Sequence, residues 1–396
     1  MIFNSLIYYL AFLLPSAYLF RRIRLSLRPW IIAAFGSLFF VYFSVTSVGG
    51  IRGAACISII LWQSFCCVYL CRHGSRLCFL VIAQAIVFLA VFKYLNFFTT
   101  LAFGTSRADP FYWHQAFLPL GISFFTFEFI HYAVDAYQGK ITNPRLPDFL
   151  AFVLFFPTMV AGPIKRYQDF APKITQNDSD WAVDWHRGIS RILTGLVKKF
   201  AIADVLTAVT VHLNAVDIAH ASGRAALLIW IFAYGFKIYF DFSSYSDIAI
   251  GSARLFGIRV PENFDSPYLQ RNIAEFWQHW HISLYRWLID YIYIPLGGSR
   301  VQPILVYRNL VIVMLASGLW HGAGLNFLAW GAWHAILLCM HRLWSRATSA
   351  FNPALSSPLA SVISWLITYV TVNLGWAFFV MDFKTAMLFF HRLLLN

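Results

Sequence analysis

Four histidines set the chemistry this chain could perform. His279 and His281 stand two apart in FWQHWHISLYRWLIDYIYIPLGGSR, residues 276–300, while His321 and His334 stand in LASGLWHGAGLNFLAWGAWHAILL, residues 315–338. An imidazole exchanges a proton near neutral pH, so a histidine in a shielded site is a candidate general base. His321 is the strongest of the four. It closes the apolar run 304–320 and is followed by Gly322, Ala323 and Gly324, which read as a helix stop. An ionisable side chain so placed is rare and costly unless it has a use. The plainer alternative is a histidine that donates to a carbonyl freed where the helix breaks. The helix end favours the protonated ring and burial favours the neutral one, which leaves its charge open at this stage. His334, on the next apolar segment, reads as a supporting neighbour of His321, and His341 beside Arg342 as a membrane-edge residue.

The elements that position these groups follow from periodicity. Residues 271–290 read as one helix. Glu275, His279, Arg286 and Asp290 then share a solvated face, and Trp277, His281, Leu284 and Leu288 form an apolar stripe. Two positions apart, His279 and His281 point about 200° from each other and do not share a metal. On pattern alone His281 is a core histidine satisfied by one hydrogen bond. The sharper alternative places it in a buried reaction chamber. Trp277, Trp280 and Trp287 suit a helix lying at the membrane interface. Pro295, Gly297 and Gly298 turn the chain, and Arg300 is placed to meet a lipid phosphate or an anionic substrate. No H-E-x-x-H, H-x-x-E-H, G-x-S-x-G or P-loop occurs, and no carboxylate stands beside His321. Neither a metal site nor a bound cofactor is expected.

Composition says where the chemistry takes place. Of the 396 residues 60% are hydrophobic and 12% charged, about half the usual soluble share of charge. An ordinary soluble fold is excluded. Apolar stretches at 2–20, 29–45, 54–71, 77–98, 117–137, 149–164, 225–242, 304–320, 327–340, 358–380 and 383–395 predict an all-α multi-pass membrane protein. Ten or eleven membrane helices are expected, some short or re-entrant. The first stretch lacks a basic lead and is not read as a signal peptide. FRRIRLSLR, residues 20–28, follows it, which puts that loop in the cytoplasm and the N-terminus outside. Basic loops at 72–76 and 139–145 then fall inside, and the polar loop 103–115 outside. These loops and anionic lipid account for the net charge of +13, and no nucleic-acid partner is expected. The six cysteines have no metal or disulfide spacing and read as small buried hydrophobes.

The chain divides into plain hydrophobic helices at 1–115, a core with broken helices at 116–343, and C-terminal helices at 344–396, together one membrane domain. Within the core, Gly, Pro and charge interrupt the apolar runs, which at membrane depth is tolerated only beside protein or a water-filled cavity. The stretch 169–199 includes an amphipathic helix. A transporter or channel would also use broken helices and buried polar groups, but no inverted repeat is evident.

NFDSPYLQRNIAEFWQHWHISLYRWLIDYIYIPLGGSR, residues 263–300, and GLWHGAGLNFLAWGAWH, residues 318–334, resemble the membrane-bound O-acyltransferase family, in particular its bacterial alginate-type polysaccharide O-acetyltransferase branch. GISFFTFEFIHYAVDAYQGK, FFPTMVAGPIKRYQDF, YFDFSSYSDIAIGSARLFG and NLGWAFF match that branch in order. The resemblance implies helices around a central funnel or tunnel, in a bacterial inner membrane. It makes His321 and His281 the catalytic candidates, which reverses the plain reading of His281. It adds Asp241, Tyr245, Asp247, Trp320, Asn326 and His334 as cavity-lining or substrate-facing candidates. The implied donor is acyl-CoA, acetyl-CoA above all, or an acyl-carrier thioester. The implied acceptor is an exported polysaccharide, and the implied partners are a periplasmic or secreted acyltransferase and an acyl carrier protein. A D-alanyl transferase of the teichoic-acid type is the alternative within the family. The branch usually reads RRWHIS, WLRDY and FSGYSD. Here Gln278-His279-Trp280, Ile289 and Ser244 depart from it, which touches acceptor and partner identity and leaves His321 intact.

Overall fold

The computed structural model describes residues 3, 5–105, 118–176, 180–348 and 357–395. Most of the loop 103–115 lies outside them. The described residues form helices and turns, with a single isolated antiparallel bridge between Phe264 and Trp280. Two compact units result. The first comprises Met1–Leu196 and Ser244–Pro261, the second Val197–Ser243 and Glu262–Asn396.

The first unit holds α1 (Leu14–Arg22), α2 (Arg28–Val48), α3 (Gly50–His73), α4 (Cys78–Leu89), α5 (Leu95–Phe103), α6 (Ile122–Tyr137), α7 (Leu146–Val153), α8 (Phe156–Met159), α9 (Tyr167–Ile174) and α10 (Trp181–Val197). The second holds α11 (Thr207–Thr210), α12 (Ala215–Ala219), α14 (Ile273–His279), α15 (Ile282–Leu288), α16 (Pro303–His321), α17 (Leu325–Ala347), α18 (Pro358–Val380) and α19 (Phe383–Leu395). The long helix α13 (Arg224–Leu255) contributes residues up to 243 to the second unit and the rest to the first.

Six segments among the described residues are long and apolar enough to cross a bilayer: Leu25–Thr46, Arg52–His73, Cys78–Phe103, Arg224–Leu255, Pro303–His321 and Pro358–Val380. Each overlaps an expected stretch. Of the other expected stretches, 327–340 lies in the continuous 23-residue α17, and the rest are shorter or interrupted. At 16 residues α6 is about 24 Å long, less than a hydrocarbon core of about 30 Å. The stretch 149–164 breaks into α7 and α8. The protein is therefore all-α and multi-pass, with irregular backbone concentrated in its middle.

Polar ties in the first unit join two of the quoted motifs. Lys165 forms a buried ion pair with Glu128 over the ring of Phe152. The Tyr167 N–H donates to His131 Nε2 at 3.3 Å, and Gln168 Nε2 donates to Asp135 Oδ2 at 2.9 Å. Asp184, also buried, accepts from Arg21 at 2.8 Å and from Arg254 at 2.6 Å. Each of these buried carboxylates thus has an ion-pair or hydrogen-bond partner, which burial requires.

The second unit is organised around indoles. Trp277, Trp280, Trp330 and Trp376 share one core. Trp277, Trp280 and Trp287, the indoles read as suiting a helix at the membrane interface, are all buried within the protein. Their ring area goes to packing, with Trp277 edge-on to Trp330 at 5.6 Å and Trp280 against Trp376 at 5.0 Å. The one buried Tyr268 hydroxyl links α13 to α18, donating to the Gly235 carbonyl at 2.8 Å and accepting from Trp376 Nε1 at 3.0 Å.

Candidate active site

His321 is the last residue of α16, and Gly322 follows in extended conformation, φ −170°. The glycine stop read from sequence is therefore real, but it is made without a left-handed turn. Two further glycines let the α16–α17 hairpin close. A Cβ on Gly331 would lie 2.5 Å from the Met314 carbonyl oxygen, and one on Gly318 would strike the Phe327 carbonyl. Small residues at this crossing bring the start of α17 against the end of α16, so that Trp330 reaches His321.

His281 is positioned by a break. The expected helix over 271–290 is two helices, α14 and α15, with His281 between them in the left-handed region, φ 46° and ψ 53°. A non-glycine residue there is uncommon. It is tolerated because the N–H groups exposed at the new helix start are capped from far away. The Ile282 N–H donates to the Asn263 carbonyl at 2.9 Å, and the Ser283 N–H to Asn263 Oδ1 at 3.3 Å. The Asp265 N–H donates to the His279 carbonyl at 3.1 Å and closes the other side. Although the helix is broken, the expected apolar stripe of Trp277, His281, Leu284 and Leu288 is buried throughout.

Three of the four histidines meet in one aromatic cluster. The His321 ring lies 4.7 Å from Trp320, 4.9 Å from Phe379 and 5.1 Å from Trp330, centroid to centroid. His281 stands edge to face with Trp320 at 5.9 Å and with Phe242 at 4.7 Å. His334 packs on Trp330 at 4.9 Å and on Trp277 at 5.0 Å. Trp320 thus bridges His281 and His321, and Trp330 bridges His321 and His334. His281 and His334 are fully buried, whereas His321 is half-buried. Of the three, His321 is the least buried. His334 Nδ1 and Nε2 and His281 Nε2 have no hydrogen-bond partner among the described residues. Buried polar atoms in that condition are uncommon, and each calls for an explanation.

This arrangement suits proton transfer. A proton taken by His321 creates a positive charge at the C-terminal end of α16, where the helix dipole stabilises it by about 0.3–1 kcal/mol. Three aromatic rings pack around the imidazole and limit its orientation.

The other candidates are placed differently. Asn326 is half-buried in the first turn of α17. Asp241, in the second unit, pairs with Lys199 Nζ at 2.6 Å, and the same ammonium meets Asp204 at 2.8 Å. Tyr245 and Asp247 belong to the first unit, where Tyr245 packs on Phe3 at 6.2 Å and buried Asp247 pairs with Arg191 at 2.6 Å. Trp330, Phe379 and Asn263 were not singled out from sequence. The four-residue step from Trp330 to His334 is a signal for the first. For Asn263 no local signal exists, because its partners lie 18 and 20 residues on. Among the described residues no three His, Cys, Asp or Glu side chains converge as metal ligands.

Apolar spans define a multi-pass membrane protein, and three histidines of its second unit cluster among indoles. Residues 112–381 match the model of MBOAT, the membrane-bound O-acyltransferase family. The chain belongs to that family. It is 40% identical over 320 residues to "Probable alginate O-acetylase AlgI" of Pseudomonas aeruginosa, covering 78% of this chain and 58% of the relative. It is 37% identical over 321 residues to the peptidoglycan O-acetyltransferase of Helicobacter pylori, covering 74% and 59%. To the teichoic acid D-alanyltransferase of Bacillus subtilis it is 27% identical over 277 residues, covering 67% and 69%. The chain thus spans a little under three fifths of the length of the alginate- and peptidoglycan-type relatives it matches.

Proposed function

We propose that this chain transfers an acyl group, acetyl in the first instance, from a cytoplasmic thioester to hydroxyls of an exported polysaccharide or to a periplasmic partner acyltransferase, with His321 as general base. Membership of an O-acyltransferase family together with the exposure of His321, between two fully buried histidines, carries the reading. The attacking hydroxyl gives its proton to the His321 ring as its oxygen adds to the thioester carbonyl. The tetrahedral oxyanion collapses and releases the thiolate, which recovers the proton. A positioned base of this kind contributes about 10²–10⁴-fold. Indoles and phenylalanines around it exclude water, which would otherwise hydrolyse the thioester. No bound cofactor enters the scheme; the thioester is substrate. A tunnel through the bilayer would let donor and acceptor meet without moving a charged carrier across lipid, and the inner membrane of a bacterium, with the N-terminus periplasmic, is the setting the scheme needs.

Acetyl transfer is favoured over D-alanyl transfer because identity to the acetylating relatives, 37–40%, exceeds the 27% to the D-alanylating one. The test is mass spectrometry of exported glycans from cells carrying the protein, lacking it, or carrying His321→Ala. Acetyl groups should appear with the parental protein and be absent with the variant at equal membrane abundance. Equal acetylation in all three would reject the proposal, and D-alanine in place of acetate would move it to the other branch.

A further inference from the structure

We infer that Asn263 is a positioning residue that holds His281 as its Nδ1–H tautomer, so that Nε2 accepts a hydrogen bond from a hydroxyl of the acyl acceptor and cannot donate one to the oxyanion. The inference rests on the acyl-transfer reading above and assigns His281 one of two opposite roles.

The assignment follows from what each atom is able to do. Asn263 is fully buried, and its side-chain oxygen is identified by its neighbours. The Ser283 backbone N–H, which can only donate, points at it from 3.3 Å. That atom is therefore the carbonyl oxygen and not the amide nitrogen, whichever way the side chain is built. The Ser283 hydroxyl donates to it as well, at 2.6 Å. His281 Nδ1 stands 3.3 Å from the same oxygen. An oxygen that only accepts needs a proton on Nδ1, and a neutral imidazole carries one N–H, so Nε2 keeps its lone pair. His281 Nε2 is buried and has no hydrogen-bond partner among the described residues. The ring carrying it is gripped by Phe242 and by Trp320, the residue next to His321.

A buried lone pair in this cluster seeks a donor, and the donor that acyl transfer to a glycan brings is O–H. A sugar ring offers more than one. One hydroxyl can yield its proton to His321 while a neighbour donates to His281, which would fix the ring for attack. The oxyanion must then find its donors elsewhere. The same device occurs in the first unit, where His131 donates through Nδ1 to the Phe127 carbonyl at 3.2 Å and accepts through Nε2 from the Tyr167 N–H.

Nitrogen-15 NMR of the full chain in lipid nanodiscs, labelled at histidine, reads the tautomer directly, with His281→Gln used to assign the signal. A proton on Nδ1 is the expected result, and a proton on Nε2 overturns the inference. Activity gives a second, separate reading. Asn263→Leu leaves the backbone cap on Ile282 in place but removes the oxygen. It should raise KM for the glycan acceptor about tenfold or more, the worth of one lost hydrogen bond to substrate, with KM for the thioester unchanged. Asn263→Asp keeps an oxygen there and should recover most of the loss. Equal losses in the two variants, or a loss confined to the thioester, contradict the inference. Protein that shows the Nδ1 proton yet transfers no acyl group would overturn the acyl-transfer reading, and the hydroxyl role with it, while leaving the hold of Asn263 on the tautomer established.

Discussion

Trp330 shows how much one side chain organises in this molecule. It is fully buried and its ring touches those of His321, His334, Trp277, Trp376 and Phe379. Removing a large buried aromatic costs about 3–5 kcal/mol. Trp330→Ala should therefore lower the unfolding midpoint in detergent markedly and abolish transfer, because His321 loses one wall. An unchanged midpoint would show that the cluster is not the core of the second unit. At this scale sequence was a good guide where the signal is local. The glycines Gly322 and Gly324 after an apolar run showed where the helix that carries His321 stops. Sequence carried no record of what Asp241, Tyr245 and Asp247 pair with or pack on. Their neighbours, Lys199 and Arg191, sit on other elements, and spacing along α13 does not reveal them.

Between elements, close approach decides the geometry. The α16–α17 hairpin depends on Gly318 and Gly331, where a side chain would collide with backbone carbonyls. Backbone cannot yield as a flexible side chain does, so overpacking costs about 1–3 kcal/mol or more. Gly331→Leu should push α17 away from α16, separate Trp330 from His321, and reduce transfer more than it reduces expression. Transfer at the parental rate from Gly331→Leu would mean that the hairpin spacing does not set the site. The same scale explains why the helix that periodicity drew over 271–290 is divided in the fold. The stripe through Trp277, His281, Leu284 and Leu288 was legible because burial repeats with the helical period. The break at His281 was not, because the groups that cap α15 come from Asn263, and local pattern carries no record of a distant cap.

For the whole molecule, buried ion pairs carry part of the stability. In the first unit Asp184 neutralises two arginines from α1 and α13. Leaving such charges buried and unpaired costs about 3–5 kcal/mol. Asp184→Ala should lower the thermal midpoint of the protein, and an unaltered midpoint would show the network to be peripheral. The membrane class was legible from composition alone, since too few charges remain to cover a soluble surface. The number of spans was less so. A stretch such as 149–164 is apolar enough to read as one crossing, yet folds as α7 and α8 around the turn before Pro157. The central claim remains that an imidazole at the end of α16 takes a proton from an incoming hydroxyl. Single-turnover transfer of labelled acetyl from a thioester to a glycan acceptor, with purified protein in nanodiscs, tests it most directly. Wild-type protein should transfer, and correctly folded His321→Ala should be slower by about 10²-fold or more. Equal rates from the two would contradict the account.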